Sequence, residues 1–517
     1  MRGSEASRDL VDELVHQFTD PYAAYRELVQ NSIDAGSNRI EVTLAFRPGT
    51  DGGLMTASVR DWGEGMSQKV IDDYLLTKFR SSKENDLTKI GKYGIGFVSV
   101  FALKPDAVTV DTGRDGESWR VLFRQDRTYE LLKLSEPVEG TTVTLHTRAT
   151  AAQYEEHVAR TRAALARWCR HSEVDVAFAF GGVDGSAAPE AVTLHEPVAV
   201  DAVFQVEHKE EGLHVVLGPA RVLPATSGFY NRGLTLLETT EQLLPGLALK
   251  VVSATLEHTL TRDNVKRDEA FARAIGVAKR LAEGPLLELL PGELTKAAER
   301  KDGANDWRAL FQYAAQRVPK KALTLRAPGG GAVPPKLLSS ALVVAPARTP
   351  LTERLVATGT SVLEAHRDDP LALGVSKALG AAHVMLADAL FTYAEPTTAA
   401  APSGFAAALT ELLAGAKCPV EGVALARVRG AGETEAWVFI EALGRPIVAA
   451  AATKKLERKK KHGLLCLNVG HEAVESTLPL MQRAPRLSAL LWARQLLVRQ
   501  RLLDPETDAY LTSWALS

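Results

Sequence analysis

The chain has 517 residues, with 61 Lys and Arg against 63 Asp and Glu, 46% hydrophobic and 24% charged residues. Those proportions exclude a largely disordered chain, a collagen-like repeat and a coiled-coil rod. The net charge of −2 argues against nucleic-acid binding over the whole surface, and 6% aromatics in an Ala- and Leu-rich chain favour helices over β-sandwiches.

At roughly 150 residues per domain the length predicts three or four domains. The charged N-terminus (Arg2, Glu5, Arg8, Asp9) has no apolar stretch and does not read as a signal peptide. Residues 9–18 read as a short amphipathic helix. A second helix spans 21–36, entered through Asp20-Pro21 and stopped by Gly36. Ile40–Phe46 and 54–60 alternate as strands, the second closing at Asp61. A helix over 67–76, a polar loop Arg80–Lys92 and an apolar helix over 95–103 follow. Strands are predicted near 107–112, 119–124 and 142–147, then a polar helix over about 151–170 and a strand at 174–180.

Gly181–Pro189 reads as a linker into a second α/β unit from about 190 to 320, and Ala327–Pro335 as another. A third unit reads strand, helix, strand (Ala341–Ala345, Leu351–Thr358, Ser361–Glu364), then one long helix near 375–390. After a linker at Glu395–Gly404 the last ~110 residues read as α+β, ending in a helix near 486–502. No run of about 18 uncharged apolar residues predicts a membrane span. Cys169, Cys418 and Cys466 stand apart without CxxC spacing, which predicts a reducing, cytoplasmic setting.

Four stretches carry chemistry. Glu27, Asn31 and Asp34 fall at i, i+4, i+7, one narrow stripe of a helix whose neighbours Tyr25, Leu28, Val29 and Ile33 are apolar. Polar groups on a buried helix need hydrogen-bond or metal partners; a solvated polar face is the plain alternative. In Arg60-Asp61-Trp62-Gly63-Glu64-Gly65-Met66 a carboxylate closes a strand, suited to an exocyclic amine, and glycines allow close approach to a flat ring. A tight turn would look the same. Ile90-Gly91-Lys92-Tyr93-Gly94-Ile95-Gly96-Phe97 opens a helix and offers backbone N–H groups to phosphate, or else forms a hinge. Gly140-Thr141-Thr142-Val143 leads into a strand and alone says little.

Taken together, in this order and spacing, these stretches resemble the GHKL (Bergerat-fold) ATPase superfamily: ExxxNxxDA, DxGxG, a glycine-rich lid and a GT strand. The run IGKYGIGFVSVF is most similar to the ninety-kilodalton heat-shock chaperone family, bacterial HtpG type. No GxxxxGK[ST] is present, so a P-loop is not expected. The resemblance covers roughly residues 10–275. It implies an α/β (α+β) chain with an N-terminal Bergerat-fold α/β sandwich over 1–185 and an α/β middle domain over 186–326. A small α/β domain over 336–395 and an α+β C-terminal domain over 404–517, a possible dimerisation element, complete the expected order.

The resemblance also implies ATP and Mg²⁺ as cofactors. It makes Glu27 the general base, Asn31 the magnesium ligand and Asp34 part of the same box. Asp61 would hold the adenine amine, with Thr141 acting through water, and Gly65 and Met66 would pack on the base. Arg80, Gly91, Gly94, Gly96 and Phe97 would surround the phosphates. Thr259-Leu260-Thr261-Arg262-Asp263-Asn264 is similar to the middle-domain loop whose Arg reaches the γ-phosphate, which gives Arg262 a catalytic role; a surface salt bridge is the plain alternative. Asn231-Arg232-Gly233-Leu234-Thr235 is similar to a middle-domain strand. The chain departs from the pattern at Asp73 and Tyr74, where the family has Asn, at Arg80 for the lid Lys, in a short lid (Ser81–Lys89) and at Asp263 for Glu.

The function so implied is a slow, chaperone-like ATPase acting on a protein client, as a homodimer, with stress response as its setting. The alternative is an ATP-gated DNA clamp of mismatch-repair or microrchidia type, with defence as its setting. The basic run Lys454, Lys455, Arg458, Lys459, Lys460 and Lys461 would serve a DNA clamp, or simply be a solvated loop. A sensor histidine kinase fits poorly, because no phosphoacceptor helix precedes the site and Glu27 suits water activation. A binding module without turnover is opposed by Glu27. His471, near Asn468 and Glu472, has no Cys or His partners at ligand spacing and reads as structural or interfacial.

Overall fold

The computed structural model describes residues 20–50, 52–76, 95–187, 191–259, 264–398, 401–452 and 455–516. The expected 9–18 helix, the 80–92 loop, Arg80, Gly91, Gly94 and Arg262 lie outside them. The chain forms two compact units, one ending at Glu283 and one starting at Gly284. Both are mixed α/β, as the sequence predicts.

In the first unit, helix α1 (Ala23–Asp34) begins after Asp20, whose Oδ1 accepts from Tyr22 N at 3.0 Å. It ends at Gly36, where a φ of 77° lets Ser37 N reach back to Ser32 O at 3.1 Å. Strands β1 (Arg39–Gly49) and β2 (Gly52–Asp61) pair antiparallel. Ile40, Val42, Leu44 and Phe46 alternate inward along β1. Full burial of each such side chain stabilises by about 1.5–3 kcal/mol.

Next come β3 (Ala107–Arg114), β4 (Glu117–Arg124), β5 (Tyr129–Lys133) and β6 (Gly140–Ala149), then helix α2 (Ala151–Cys169), β7 (Asp175–Phe180) and β8 (Val192–Thr193). They form an eight-stranded sheet in the order β5-β4-β3-β6-β2-β1-β7-β8, antiparallel except where β1 meets β7. A capping box starts α2: Thr150 Oγ1 accepts from Gln153 N at 3.2 Å, and Gln153 Oε1 accepts from Thr150 N at 2.8 Å. Tyr25, Leu28 and Val29 of α1 and Tyr154 and Leu165 of α2 share one core with the inward residues of the sheet.

His157 of α2 is buried between two α1-side phenols, with Tyr25 Oη 2.7 Å from Nε2 and Tyr22 Oη 3.1 Å from Nδ1. Burial, then the Arg160 charge, pushes its pKa down to about 4, against about 6.5 in an unfolded chain. Between those values the unfolded state binds the extra proton, so this contribution to stability is full above pH 6.5 and is lost as pH falls toward 4. At pH 5 the loss is about 2 kcal/mol. Chemical denaturation at pH 7 and 5 checks this: wild type should lose about that much more than His157→Gln, and equal losses would refute it.

A second sheet completes the unit: β9 (Val206–Glu210), β10 (Leu213–Pro219), β11 (Ser227–Asn231), β12 (Leu234–Thr239) and β13 (Leu247–Ser253), in the order β12-β11-β13-β10-β9. Helix α3 (Glu269–Glu283) packs on it, with Phe271 and Phe229 ring centroids 5.1 Å apart. The sheet is tied to the end of α2: Thr235 Oγ1 donates to Arg167 O at 2.8 Å, and Lys250 Nζ donates to His171 Nε2 at 2.9 Å. His171 Nδ1 donates to Glu196 O at 2.8 Å, which leaves Nε2 as the acceptor.

The second unit opens with the helix pair α4 (Pro285–Glu299) and α5 (Ala304–Ala314). Three parallel strands then alternate with helices: β16 (Ala341–Ala345), α6 (Pro350–Ala357), β17 (Val362–Glu364), α7 (Pro370–Leu379) and β18 (His383–Leu386), after a two-residue pair β14 (Leu325–Arg326) and β15 (Ala332–Val333). The rest is a five-stranded sheet of β19 (Phe391–Pro396), β20 (Val420–Gly430), β21 (Trp437–Ile440), β22 (Ile447–Val448) and β23 (His462–Asn468), covered by α8 (Ser403–Gly415) and α9 (Pro485–Arg499), with α10 (Pro505–Leu516) last.

Several expectations change, among them the last helix: α9 near 486–502 is followed by α10, and the ends of the expected linker Glu395–Gly404 belong to β19 and α8. The single helix near 375–390 is α7 followed by β18 and a short turn Ala387–Leu390. Gly380, at φ 73°, ends the helix, and Ala382 N turns to Ser340 O at 2.8 Å to start the strand. Ala327–Pro335 contains β15, which turns back to pair with β14, rather than being a free linker. Its flank Arg326 is fully buried and donates to Glu364 Oε2 at 2.6 Å and Ala298 O at 2.8 Å. The 67–76 helix is one α-turn, Gln68–Val70, running into a wider turn, Ile71–Leu75, closed by Leu76 N on Ile71 O at 2.9 Å.

Candidate functional site

The first unit holds a cavity of about 430 Å³ between α1 and the eight-stranded sheet. Cross-strand register builds its floor. Val143 of β6 lies opposite Val59 of β2 and Val110 of β3, and two residues along, Thr141 lies opposite Asp61 and Thr112. An apolar row therefore runs beside a polar row, on one face of three neighbouring strands.

Asp61 ends the polar row. Its Oδ1 accepts from Gly63 N at 2.9 Å and Thr141 N at 3.2 Å, and its Oδ2 accepts from Ser32 Oγ at 3.1 Å. Burial pushes its carboxyl pKa up, while those three hydrogen bonds pull it back. A buried carboxylate with protein donors on part of its lone-pair set retains capacity for one more donor, which suits an amine-bearing flat ring over the valine row. Met66 N donates to Thr112 Oγ1 at 2.8 Å, which fixes the 63–66 turn against β3. Gly65, at φ 62°, has no room for a side chain: a Cβ there would lie 2.1 Å from Gly113 O.

Asn31 and Asp34 of α1 line the cavity, as do Asp61, Gly65, Met66, Phe97 and Thr141. Glu27 and Gly96 do not line it. Glu27 is 6% exposed and lies one helical turn before Asn31, and a Cβ on Gly96 would sit 2.7 Å from Glu27 Oε2, so the two pack together. Tyr74 and Leu75 reach the cavity from the wider turn, and Arg114 meets Glu64 there, NH2 to Oε2 at 3.1 Å. Among the described residues no trio of His, Cys, Asp or Glu is grouped to hold a metal by itself.

The segment carrying Arg262 is described only at its stem. His258 and Val265 form an antiparallel bridge, Thr259 N donates to Asn264 O at 2.9 Å, and His258 Nδ1 lies 3.3 Å from NH2 of Arg26, the residue before Glu27.

Sequence reading missed Ser32, Thr112, Arg114 and the three valines. Ser32 follows Asn31 on the apolar stripe, and Thr112 continues the inward alternation Val108, Val110, Thr112. Both were open to a periodicity argument. The valine row was not, since it requires the register. His471 and Asn468 make local structural hydrogen bonds. His471 Nδ1 accepts from Ala473 N at 3.1 Å, and buried Asn468 donates to Glu433 O at 2.8 Å and accepts from Val428 N at 3.0 Å. In the basic run Arg458 donates to Asp504 Oδ2 at 2.5 Å and Leu502 O at 2.9 Å, while Lys460 pairs with Glu457 and Lys461 with Glu421. No helix among the described residues is long and apolar enough to cross a membrane.

Residues 19–149 match the family profile described as histidine kinase-, DNA gyrase B- and HSP90-like ATPase. The chain is similar to the chaperone protein HtpG of Methylobacterium nodulans, 27% identical over 225 residues, which are 38% of this chain and 36% of that protein. It is also similar to HtpG of Chlorobium luteolum, 31% identical over 160 residues and 25% of each chain, and of Mycobacterium tuberculosis, 29% identical over 179 residues, 29% of this chain and 28% of the relative. The chain thus spans between a quarter and just over a third of the length of these relatives. Residues 19–149 accordingly carry a GHKL-type ATPase domain, a divergent one similar to that of HtpG.

Proposed function

We propose that the cavity binds ATP and that the chain hydrolyses it, as a chaperone-like ATPase whose nucleotide cycle closes its domains on a protein client. The observation that carries this reading is Asp61, a buried carboxylate at the end of a valine-floored slot whose opposite wall is α1 with Asn31. Asp61 accepts the adenine amine, helped by Thr141 through water. Gly65 and Met66 flank the base. Glu27 polarises the attacking water, and Gly96 and Phe97, with Arg80, Gly91 and Gly94, surround the phosphates. Mg²⁺, when bound, offsets phosphate charge and orients the reacting groups. Its binding here rests on Asn31 and the nucleotide's own oxygens, consistent with an ion carried in by a nucleotide.

Arg262 would supply a further positive charge in the transition state. The bridge at the base of its segment and the contact of His258 with Arg26, next to Glu27, support that assignment. Arg262→Ala should lower turnover about 10²-fold or more. A change below about threefold in steady-state hydrolysis would return it to an ordinary surface charge.

The proposal keeps the expected segments, 1–185 for nucleotide, 186–326 for the Arg262 part, and 336–395 and 404–517 beyond, with homodimerisation and a cytoplasmic setting. Arg458 of the basic run is engaged by Asp504, and its Lys460 and Lys461 pair with nearby glutamates at the surface, which adds no support for the DNA-clamp reading. The full chain with Mg²⁺-ATP tests the proposal. Hydrolysis, and a change of solution mass or of bound protein with a non-hydrolysable analogue, are expected. Absence of nucleotide binding would overturn it, and hydrolysis stimulated by DNA at low salt would favour the clamp.

A further inference from the structure

The described residues that line the cavity are mostly acidic where they are charged. Among the described residues its lining includes three carboxylates, Asp34, Asp61 and Glu64, and one guanidinium, Arg114, already paired with Glu64. Asp34 is the last residue of α1, so its charge adds to the negative end of the helix dipole. Asp34 and the end of α1 thus place negative charge at the cavity, where a polyphosphate would need a neighbouring cation to offset it.

The second sheet brings a cation to this place. Arg232, at the β11–β12 turn, stands with NH1 3.8 Å from Asp34 Oδ1. The turn is held in an uncommon shape. Arg232 has φ 45°, in the left-handed region that side-chain-bearing residues rarely adopt. Its carbonyl accepts from Glu173 N at 3.2 Å. A Cβ on the next residue, Gly233, would lie 1.7 Å from His171 O, so the turn is pressed onto the 171–173 segment. On the other side Asn231 Nδ2 donates to Leu256 O at 2.6 Å and Ala254 O at 3.2 Å.

An ion pair whose side chains are 44% and 25% exposed contributes little to folding, so stability alone does not account for a cation held at this place. We propose that Arg232 is a positioning residue for the nucleotide's phosphates: it offsets Asp34 and the α1 C-terminus, and so makes the cavity mouth tolerant of polyphosphate. This rests on the ATP reading above and adds to it a role for the second sheet in ligand selection by charge.

The ligand's charge is therefore the variable to scan. Titration calorimetry of the full chain with adenosine, AMP, ADP and ATP should show Arg232→Ala weakening ATP about tenfold, ADP less, and adenosine less than about twofold. Arg232→Lys should keep most of the affinity for ATP. Raising salt should narrow the gap between wild type and Arg232→Ala, because the contribution is exposed and screened. A variant that lost adenosine and ATP affinity in equal proportion, or neither, would overturn the proposal; so would equal losses in Arg232→Lys and Arg232→Ala. Should Arg232→Ala fail to fold, a constant ATP-to-adenosine affinity ratio in Arg232→Lys and in wild type across salt overturns it equally. Wild type that binds none of the four ligands instead removes the ATP reading itself.

Discussion

Glu27→Ala should bind ATP within about threefold of wild type and hydrolyse it roughly 10³-fold more slowly, the middle of the range for a lost general base. The separation of binding from chemistry follows from position. Glu27 is buried on α1 and abuts Gly96, yet it does not line the cavity, whereas Asn31, one turn on, does. On the proposed assignment, truncating it removes the group that would act on the attacking water and leaves the residues that line the cavity in place. Alanine favours helix, so α1 itself is not weakened by the backbone preference. Single-turnover hydrolysis with binding measured in parallel checks this, and Glu27→Gln, which keeps the shape, should be as slow. Equal turnover in wild type and Glu27→Ala would refute the assigned base.

Asp61→Asn should fail at the earlier step, losing ATP affinity by about 10³-fold. The substitution is nearly isosteric, and Asn Oδ1 can still accept from Gly63 N and Thr141 N. The second atom becomes an amide NH₂ in place of an oxygen that accepts from Ser32 Oγ. A donor then faces the ligand's amine, and two donors opposed at a buried position cost more than the hydrogen bond they replace. Calorimetric titration, with circular dichroism to confirm folding, measures it. Ser32→Ala, which removes one donor and leaves the carboxylate, should weaken binding far less. If Asp61→Asn binds ATP within threefold of wild type, the base is not held there.

Both predictions depend on residues visible in short sequence windows. The i, i+4, i+7 spacing of Glu27, Asn31 and Asp34 on α1, the strand ending at Asp61 and the glycines after it are local patterns, because helix and strand periods and glycine's conformational range operate over a few residues. The same locality explains two failures. Asp369-Pro370 opens α7 with Asp369 Oδ1 accepting from Leu371 N at 2.9 Å, the type of signal already read at Asp20-Pro21, yet the apolar period past Gly380 suggested a longer helix. Tyr129–Lys133 has no clean alternation, and it is a strand because β4 pairs with it, Trp119 opposite Lys133 and Phe123 opposite Tyr129.

By itself the sequence determined the α/β character, the placement of α1, β1 and β2, and the motifs that mark the N-terminal segment, since each is encoded in neighbouring residues. The tertiary structure alone decided the valine row, the union of Ser32, Thr141 and Asp61 around one carboxylate, and the arrival of Arg232 beside Asp34. Those contacts join residues up to 198 positions apart, and they exist only because strand register and the docking of the second sheet on α2 bring together side chains that no local period connects.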